Sequence, residues 1–241
     1  MSLAGIQIGA GVQLGSGISV NPALPTLVLN LDANNPSSYS GSGTTWYDVS
    51  GFGNNVDMVN SGDITFWTGS PSYFATGETG YFSGPGSSGI PVGNTLYTLA
   101  CWVNSPGQGT WGANGLVSIG GYGEGNQSNA FRTASNPILV NYWWGDDFAV
   151  GTTAPSTGWF YAVVTYDGTH RNMYVNGVLQ GTDTPSGTHN VVSSTVQVAA
   201  TDVGLGEYLN GNIGAVYIYN YALSGADILA NFNATRSIYG V

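Results

Sequence analysis

The chain contains no lysine and only three arginines, Arg132, Arg171 and Arg236, against 13 acidic residues. Its formal net charge is therefore −10 at pH 7. Proteins that bind nucleic acid neutralise phosphates with clustered basic side chains, so we expect no nucleic-acid partner. We attribute the acidity to solubility. The alternative is that some of the carboxylates bind a cation.

Cysteine is almost absent as well. Cys101 is the single cysteine and lies in the apolar run TLACWV. It has no second cysteine with which to form an internal disulfide, so we expect a small buried hydrophobic residue rather than a nucleophile.

No apolar run reaches the length of a membrane-spanning helix, and no basic residue precedes the first apolar segment. We therefore expect neither a membrane partner nor a secretory signal.

Residues that favour helices are scarce, because charged residues make up only 7% of the chain. Glycine is abundant at 38 residues, and aromatic residues make up 12%. This composition favours many short strands joined by tight turns. One short helix is predicted at the carboxyl end, where Ser224 can cap the run SGADILANFNATRS and Ile228, Leu229 and Phe232 recur at helical spacing.

The densest strand-forming stretch is residues 159–182, WFYAVVTYDGTHRNMYVNGVLQGT. Two apolar runs flank the turn-rich DGTH, and Asn176-Gly177 is the dipeptide best suited to a type I′ turn. Apolar and aromatic residues occupy consecutive positions from Trp159 to Val164, so both faces of this strand should be covered. About a dozen strands of this kind predict a two-sheet β-sandwich.

In residues 6–20 every even position except Ser16 is apolar and every odd position is Gln, Gly or Ser, a pattern typical of an extended segment with one buried face. They are either the first strand of the domain or an arm that docks on another subunit by strand addition, with a reach on the order of 50 Å. The docking side chains would be Ile6, Ile8, Val12, Leu14, Ile18 and Val20.

Two prolines follow this segment, and Pro22 and Pro25 together form a stiff joint that cannot pair in a sheet. We therefore divide the chain into an extended amino-terminal arm, residues 1–25, and a single β-sandwich domain, residues 26–241.

Four blocks of sequence resemble the laminin G-like, concanavalin A-like jelly-roll family, above all its compact single-domain form in bacteriophage virion and bacterial surface proteins. They are LDANNPSSYSGSGTTWYDVSGFGNN (31–55), TLACWV (98–103), residues 159–182 and GEYLNGNIGAVYIYNYALSGADILANFNATR (206–236). The resemblance implies an all-β, two-sheet antiparallel jelly-roll sandwich. It leaves function open among sugar binding, adhesion, calcium-dependent recognition and an inert structural role.

The sequence departs from this family at a motif usually written Phe-Asp-Gly, which here reads Phe74-Ala75-Thr76-Gly77. Loss of the aspartate weakens any calcium site inferred from relatives. The remaining candidate metal ligands are Asp32, Asp48, Asp202 and Glu207, which we place at strand ends or in loops. Without a compact calcium-loop spacing they more often cap turns, and we interpret Asp48 as a loop organiser. We expect no cofactor, with Ca²⁺ as the alternative.

Catalysis is not predicted. Sugar-cleaving relatives carry a Glu-x-Asp-x-x-Glu run that this sequence lacks, and a glycosidase needs two acids across one bond. The pair Asp146-Asp147 would point to opposite faces of a strand. His170 and His189 have no cysteine or second histidine at zinc-ligand spacing, and no nucleophile-elbow motif supports a catalytic triad.

Carbohydrate binding requires an aromatic face that stacks on a sugar ring, with amides or carboxylates to hydrogen-bond its hydroxyls. One short stretch offers both kinds of group. Its candidate residues are Asn141, Tyr142, Trp144, Asp146 and Asp147. The alternative is packing, since two adjacent tryptophans on a strand cannot share a face and at least one should be buried.

These patterns lead to one preferred hypothesis and one alternative. The preferred hypothesis is a non-enzymatic structural protein at the surface of a bacteriophage virion, a head decoration or tail appendage subunit. It would dock through its arm onto other virion proteins and onto copies of itself. The alternative is a carbohydrate-binding adhesion module that recognises surface glycans. An exposed Trp144 beside Asp146 or Asp147 would favour the alternative.

Overall fold

The computed structural model describes residues 26–87, 89–104, 113–122, 124–134, 138–151, 155 and 157–241. The proposed arm, with Ile6, Ile8, Val12, Leu14, Ile18 and Val20, lies outside the described residues. Its docking role and the domain boundary at residue 25 therefore stay predictions.

The described chain forms two antiparallel sheets of eight strands each, numbered β1 to β16 in chain order. Sheet A contains β1 (Leu27–Asp32), β4 (Ile64–Trp67), β5 (Tyr73–Thr76), β7 (Tyr97–Asn104), β12 (Phe160–Tyr166), β13 (Arg171–Val175), β14 (Val178–Asp183) and β16 (Gly211–Tyr219). Sheet B contains β2 (Thr45–Trp46), β3 (Val56–Val59), β6 (Tyr81–Gly84), β8 (Ala113–Gly120), β9 (Ser128–Ala134), β10 (Ile138–Tyr142), β11 (Phe148–Gly151) and β15 (Val196–Val198). The predicted jelly-roll sandwich is confirmed.

Strand order follows from long-range pairing. Sheet A runs β14-β13-β12-β7-β16-β5-β4, with β1 pairing on the same side of β16 as β5. Sheet B runs β11-β10-β9-β8-β15-β6-β3-β2. The two sheets close on a core in which Tyr39, Trp46, Phe66, Phe74 and Phe82 form a connected aromatic cluster.

The stretch 159–182 is central to sheet A, as the sequence predicts. β12 is buried along its whole length between β7 and β13. Asn176 and Gly177 connect β13 to β14 with φ values of 51° and 81°, the left-handed pair that a type I′ turn requires. Alternate residues of β12 therefore serve two apolar layers, Phe160 in the core between the sheets and Tyr161 on the outer face of sheet A.

The carboxyl-terminal helix α1 (Gly225–Thr235) covers that outer face. Ser224 and Asp227 form a reciprocal capping box at its start. Ile228 and Phe232 are buried, whereas Leu229, expected on the same apolar face, is 44% exposed. Short 3-10 helices occur at Ser61–Asp63 and Arg236–Ile238.

Beyond the helix, Tyr239 stacks on Trp102 with ring centroids 4.2 Å apart. This approach requires Gly214, where a Cβ atom would lie 2.5 Å from the Tyr239 ring. Trp102 also donates a hydrogen bond from Nε1 to Thr235 Oγ1 at 3.0 Å. The end of the chain is thereby fastened to sheet A.

Candidate functional site

The two adjacent tryptophans after β10 occupy opposite environments. Trp143 is fully buried in the core between the sheets, and Trp144 is 43% exposed. Trp144 adopts φ 64°, a left-handed conformation in which a tryptophan is unusual. The expectation that one of the two faces the core is confirmed, and the other stands at the surface.

Trp144 begins a row of three aromatic rings. Tyr122 packs between Trp144 and Tyr142, with centroid distances of 5.9 and 6.1 Å. Tyr142 lies on the outer face of sheet B, in a small apolar cluster with Ala130 and Val140 that is separate from the core. We call Trp144, Tyr122 and Tyr142 the aromatic row.

An ion pair adjoins the aromatic row. Arg132 binds Glu207 Oε1, and its guanidinium lies 4.5 Å from the centroid of the Tyr142 ring. Tyr142 donates its hydroxyl to Glu207 Oε2 at 2.8 Å, and Thr201 donates to the same oxygen at 2.7 Å. Burial raises the pKa of Tyr142, so the phenol stays protonated and acts as a donor.

The loop between β15 and β16 delivers Glu207 to this face. Asp202 Oδ1 accepts hydrogen bonds from the backbone of Gly204 and Leu205 at 2.9 and 3.2 Å, which tightens the loop. Gly115 of β8 permits the close approach, because a Cβ atom there would lie 2.3 Å from the Thr201 nitrogen. Two acids considered as metal ligands, Asp202 and Glu207, therefore have partners within the chain.

A buried arginine lies beneath residues 143–146, which follow β10 and which we call the tryptophan turn. Arg171 is fully buried on β13, and its guanidinium carbon lies 4.2 Å from the Trp143 ring centroid. It donates to the backbone oxygen of Asp146 at 2.8 Å and to Oδ1 of Asp146 at 3.0 Å. Its Nε donates to Asp183 at 3.0 Å.

Asp146 is consequently a structural group. Its Oδ2 accepts from the backbone nitrogens of Ser186 and Gly187 at 2.6 and 2.7 Å. Burial would raise the pKa of Asp146, but these hydrogen bonds and the Arg171 charge outweigh it, and the pKa is lowered. The carboxylate stays ionised and joins the tryptophan turn to the segment before His189.

The structure brings together only part of the residue set that the sequence suggested for sugar contact. Tyr142 and Trp144 share the aromatic row, but Tyr142 is its buried end, at 6% exposed, and of the two only Trp144 reaches the surface. Asp147 is exposed nearby in sequence. Asn141 is fully buried: its amide donates to Asn129 and Ala130 and accepts from Tyr97. Strand alternation explains this placement, because Asn141 faces the core when Tyr142 faces out.

Three residues of the site were not predicted from the sequence: Tyr122, Arg132 and Thr201. Their placement depends on pairing between strands, since Arg132 of β9 lies opposite Val140 of β10 and Glu207 arrives from a distant loop. The one sequence feature that could have pointed to Arg132 is the rarity of basic residues, because the chain has only three arginines and no lysine.

Comparison with known proteins agrees with this fold. A laminin G family model, described as the concanavalin A-like lectin/glucanases superfamily, matches residues 76–229. The match spans 154 residues (229 − 76 + 1) of the 241 in the chain.

The chain belongs to this concanavalin A-like superfamily. Among solved structures it is similar to domain 4 of an extracellular arabinanase from Geobacillus stearothermophilus in complex with arabinotriose. In that comparison the identity is 14%, the TM-score is 0.64, and 86% of this chain and 98% of that chain are covered.

Two toxin binding domains are also similar. That of Paraclostridial mosquitocidal protein 1 has 15% identity, TM-score 0.66, and 89% and 55% coverage of this chain and of that chain. That of botulinum neurotoxin serotype D/C has 16% identity, TM-score 0.63, and 87% and 52% coverage. The chain spans about half of these two domains. No curated protein sequence matches it.

The remaining candidate metal ligands of this concanavalin A-like chain organise loops. Asp48 accepts four hydrogen bonds, from the backbones of Asn30, Ser50 and Asn54 and from the Ser50 hydroxyl, in agreement with its interpretation as a loop organiser. Asp32 accepts from Asn34. Among the described residues no group of three or more His, Cys, Asp or Glu side chains is placed to hold a metal ion.

Cys101 is fully buried, as expected, and burial raises the pKa of its thiol. Within the described part of the chain, no helix is both long and apolar enough to cross a membrane.

His189 lies in the core beneath the tryptophan turn. It is 1% exposed and stacks on Trp143 with centroids 4.0 Å apart. Its Nε2 bonds the Ser128 carbonyl at 3.0 Å, while Nδ1 meets no partner among the described residues. Burial, aided by the Arg171 charge, lowers the pKa of His189 to about 4.

We predict that His189 makes the protein sensitive to acid. Its folded pKa of about 4 lies below the ordinary value of 6.5, so the unfolded chain binds more protons between these values. The free energy of unfolding should therefore fall as pH drops from 6.5 to 4, by about 3 kcal/mol from this group. Urea denaturation at several pH values measures the slope.

The variant His189→Phe should lose this part of the pH dependence, and His170→Phe, which alters an exposed ring, should keep it. Asp167 lies 3.7 Å from His170 Nδ1, and the His170 charge helps to lower the pKa of Asp167. The comparison that isolates His189 is therefore the one between His189→Phe and the unmodified chain. Equal slopes for His189→Phe and the unmodified chain would contradict the assignment.

Proposed function

We propose that the chain is a non-enzymatic glycan-binding module, with its site on the outer face of sheet B around the aromatic row. The supporting observation is Trp144, which is 43% exposed and continues through Tyr122 to Tyr142. An exposed indole offers the flat apolar surface on which a sugar ring stacks. This feature favours glycan binding over a purely structural role.

Hydrogen-bonding groups for the sugar hydroxyls lie at the end of the row. The Arg132 side chain is 21% exposed, and its guanidinium is held by Glu207 beside Tyr142. A guanidinium fixed in this way can donate to hydroxyl oxygens without losing much side-chain freedom on binding. The similarity to an arabinanase domain solved with arabinotriose adds support.

The contacts of Glu207 favour a binding role over hydrolysis. A glycosidase needs one carboxyl group as an acid and a second across the scissile bond. Glu207 has one oxygen bound to Arg132 and the other accepting from Tyr142 and Thr201. These contacts leave it neither a proton to give nor a free oxygen to attack. We propose likewise that recognition needs no calcium ion.

We predict that Trp144→Ala weakens glycan binding by about tenfold or more, because aromatic stacking contributes about 0.5–1.5 kcal/mol beyond the buried area. A glycan array of neutral and acidic oligosaccharides, followed by titration calorimetry on the strongest ligand, measures the effect. Addition of EDTA should leave the affinity unchanged.

The matched control is Tyr47→Ala, because Tyr47 is an exposed aromatic residue, at 52%, in a different loop. It should bind as the unmodified chain does. Failure of the full chain to bind any glycan, or equal affinity of Trp144→Ala, would exclude this site.

We further propose that this module is displayed on a bacteriophage particle, as a head decoration or tail appendage subunit. The support is the uncharged alternation of residues 6–20, the proline joint at Pro22 and Pro25, and the family resemblance. The arm would add to a sheet of a neighbouring copy or of another virion protein. The sandwich would then face outward.

Deletion of residues 1–21 should leave a folded domain, because β1 begins at Leu27, while abolishing assembly. Circular dichroism follows the fold, and light scattering with electron microscopy of the particle follows incorporation. An unfolded truncated chain would identify residues 6–20 as an internal strand, and normal incorporation would exclude docking through the arm.

A further inference from the structure

A second row of rings, exposed at the Trp67 end, lies on the other sheet. Trp67, at the end of β4, is 54% exposed and lies nearly parallel to Tyr73 of β5, at 15° with centroids 6.4 Å apart. Trp159 contacts Tyr73 edge-on at 5.5 Å. We call Trp67, Tyr73 and Trp159 the edge platform.

Strand alternation places the edge platform on the outer face of sheet A. Ile64 and Phe66 of β4 pack against the core, so Thr65 and Trp67 point away from it. Tyr73 likewise points outward, since Phe74 enters the core. The aromatic row lies on the outer face of sheet B, so the two surfaces face opposite sides of the sandwich.

The edge platform is anchored at its inner end. Trp159 contacts Tyr239 at 5.0 Å, and Tyr239 stacks on the buried Trp102. The rings therefore form one continuous series from the covered layer beneath α1 to the exposed edge at Trp67. Rings held in place before binding lose little conformational entropy when a ligand stacks on them.

The hairpin that carries Trp67 and Tyr73 is uncharged. Residues 64–76, ITFWTGSPSYFAT, carry no acidic or basic side chain. The hairpin instead supplies hydroxyl groups, which are those of Thr65, Thr68, Ser70 and Ser72. Aromatic faces bordered by hydroxyls suit a neutral, hydroxyl-rich ligand, and the net charge of −10 disfavours a polyanion.

We propose that the edge platform is a second binding site, for a neutral glycan chain. The near-parallel Trp67 and Tyr73 would each receive one sugar ring of the same chain, and Trp159 would close the inner end. A protein partner fits less well, because the hairpin around the rings offers hydroxyls rather than further apolar side chains. The proposal is independent of the aromatic row, which has its own ligand and its own test.

Affinity electrophoresis of the full chain tests the proposal, in gels containing hydroxyethylcellulose, xyloglucan or linear arabinan. At least one polysaccharide should retard the unmodified chain. Trp67→Ala should raise the dissociation constant for that polysaccharide about tenfold or more. Val178→Ala, an exposed control at 60% on β14, should change nothing. Urea denaturation of each variant verifies that the fold is kept.

Trp144→Ala separates this site from the aromatic row, and it should leave the retardation intact. Three results would overturn the edge platform: no retardation in any of the gels, retardation that survives Trp67→Ala, or loss of retardation in Trp144→Ala alone. A Trp67→Ala chain that changes its oligomeric state in gel filtration, without any polysaccharide binding, would identify the occupant as protein and also overturn the proposal.

Discussion

The contact between the Arg171 guanidinium and the Trp143 ring is the interaction on which the candidate site depends. Trp143 is fully buried and follows the last residue of β10, and Trp144 leaves the strand in a left-handed conformation with its ring at the surface. A buried guanidinium is stable only with anionic partners. Asp146 and Asp183 supply them and thereby join the tryptophan turn to β13 and β14.

A second buried charge, that of Glu207, is likewise paired on the outer face of sheet B. Glu207 is largely buried and is satisfied by Arg132, Tyr142 and Thr201. Because these groups come from β9, from β10 and from the loop before β16, the carboxylate fixes three separate parts of the chain around one surface. Tyr142 is therefore held in place before any ligand arrives, and a ring fixed in advance loses little conformational freedom on binding.

Short sequence patterns correctly predicted the turns and caps that depend only on neighbouring residues. The left-handed pair Asn176-Gly177, the capping serine Ser224 and the loop organiser Asp48 each act on residues close in sequence, and the structure has all three in these roles. The resemblance supplied the jelly-roll topology. Leu229 was misjudged, because helical spacing alone does not say how wide the covered face is.

The site was predicted only in part, because it is assembled by contacts that no local pattern encodes. Tyr142 and Trp144 stood out by composition, but their partners Tyr122, Arg132 and Glu207 depend on strand register and on a loop 65 residues beyond Tyr142. Asn141 was included because it is polar and adjacent, and strand alternation sends it into the core. Adjacency in sequence is thus a poor guide to a shared surface in a sheet.

The most direct test of the glycan-binding account is an NMR titration that follows the indole N–H signals of the seven tryptophans. The glycan selected on the array should shift the Trp144 signal and leave that of the buried Trp143 nearly unmoved, with saturation at the same concentration as in calorimetry. A glycan that binds without shifting Trp144 would contradict the assignment of the site to the aromatic row, and a shift of Trp67 or Trp159 alone would place that glycan on the edge platform instead.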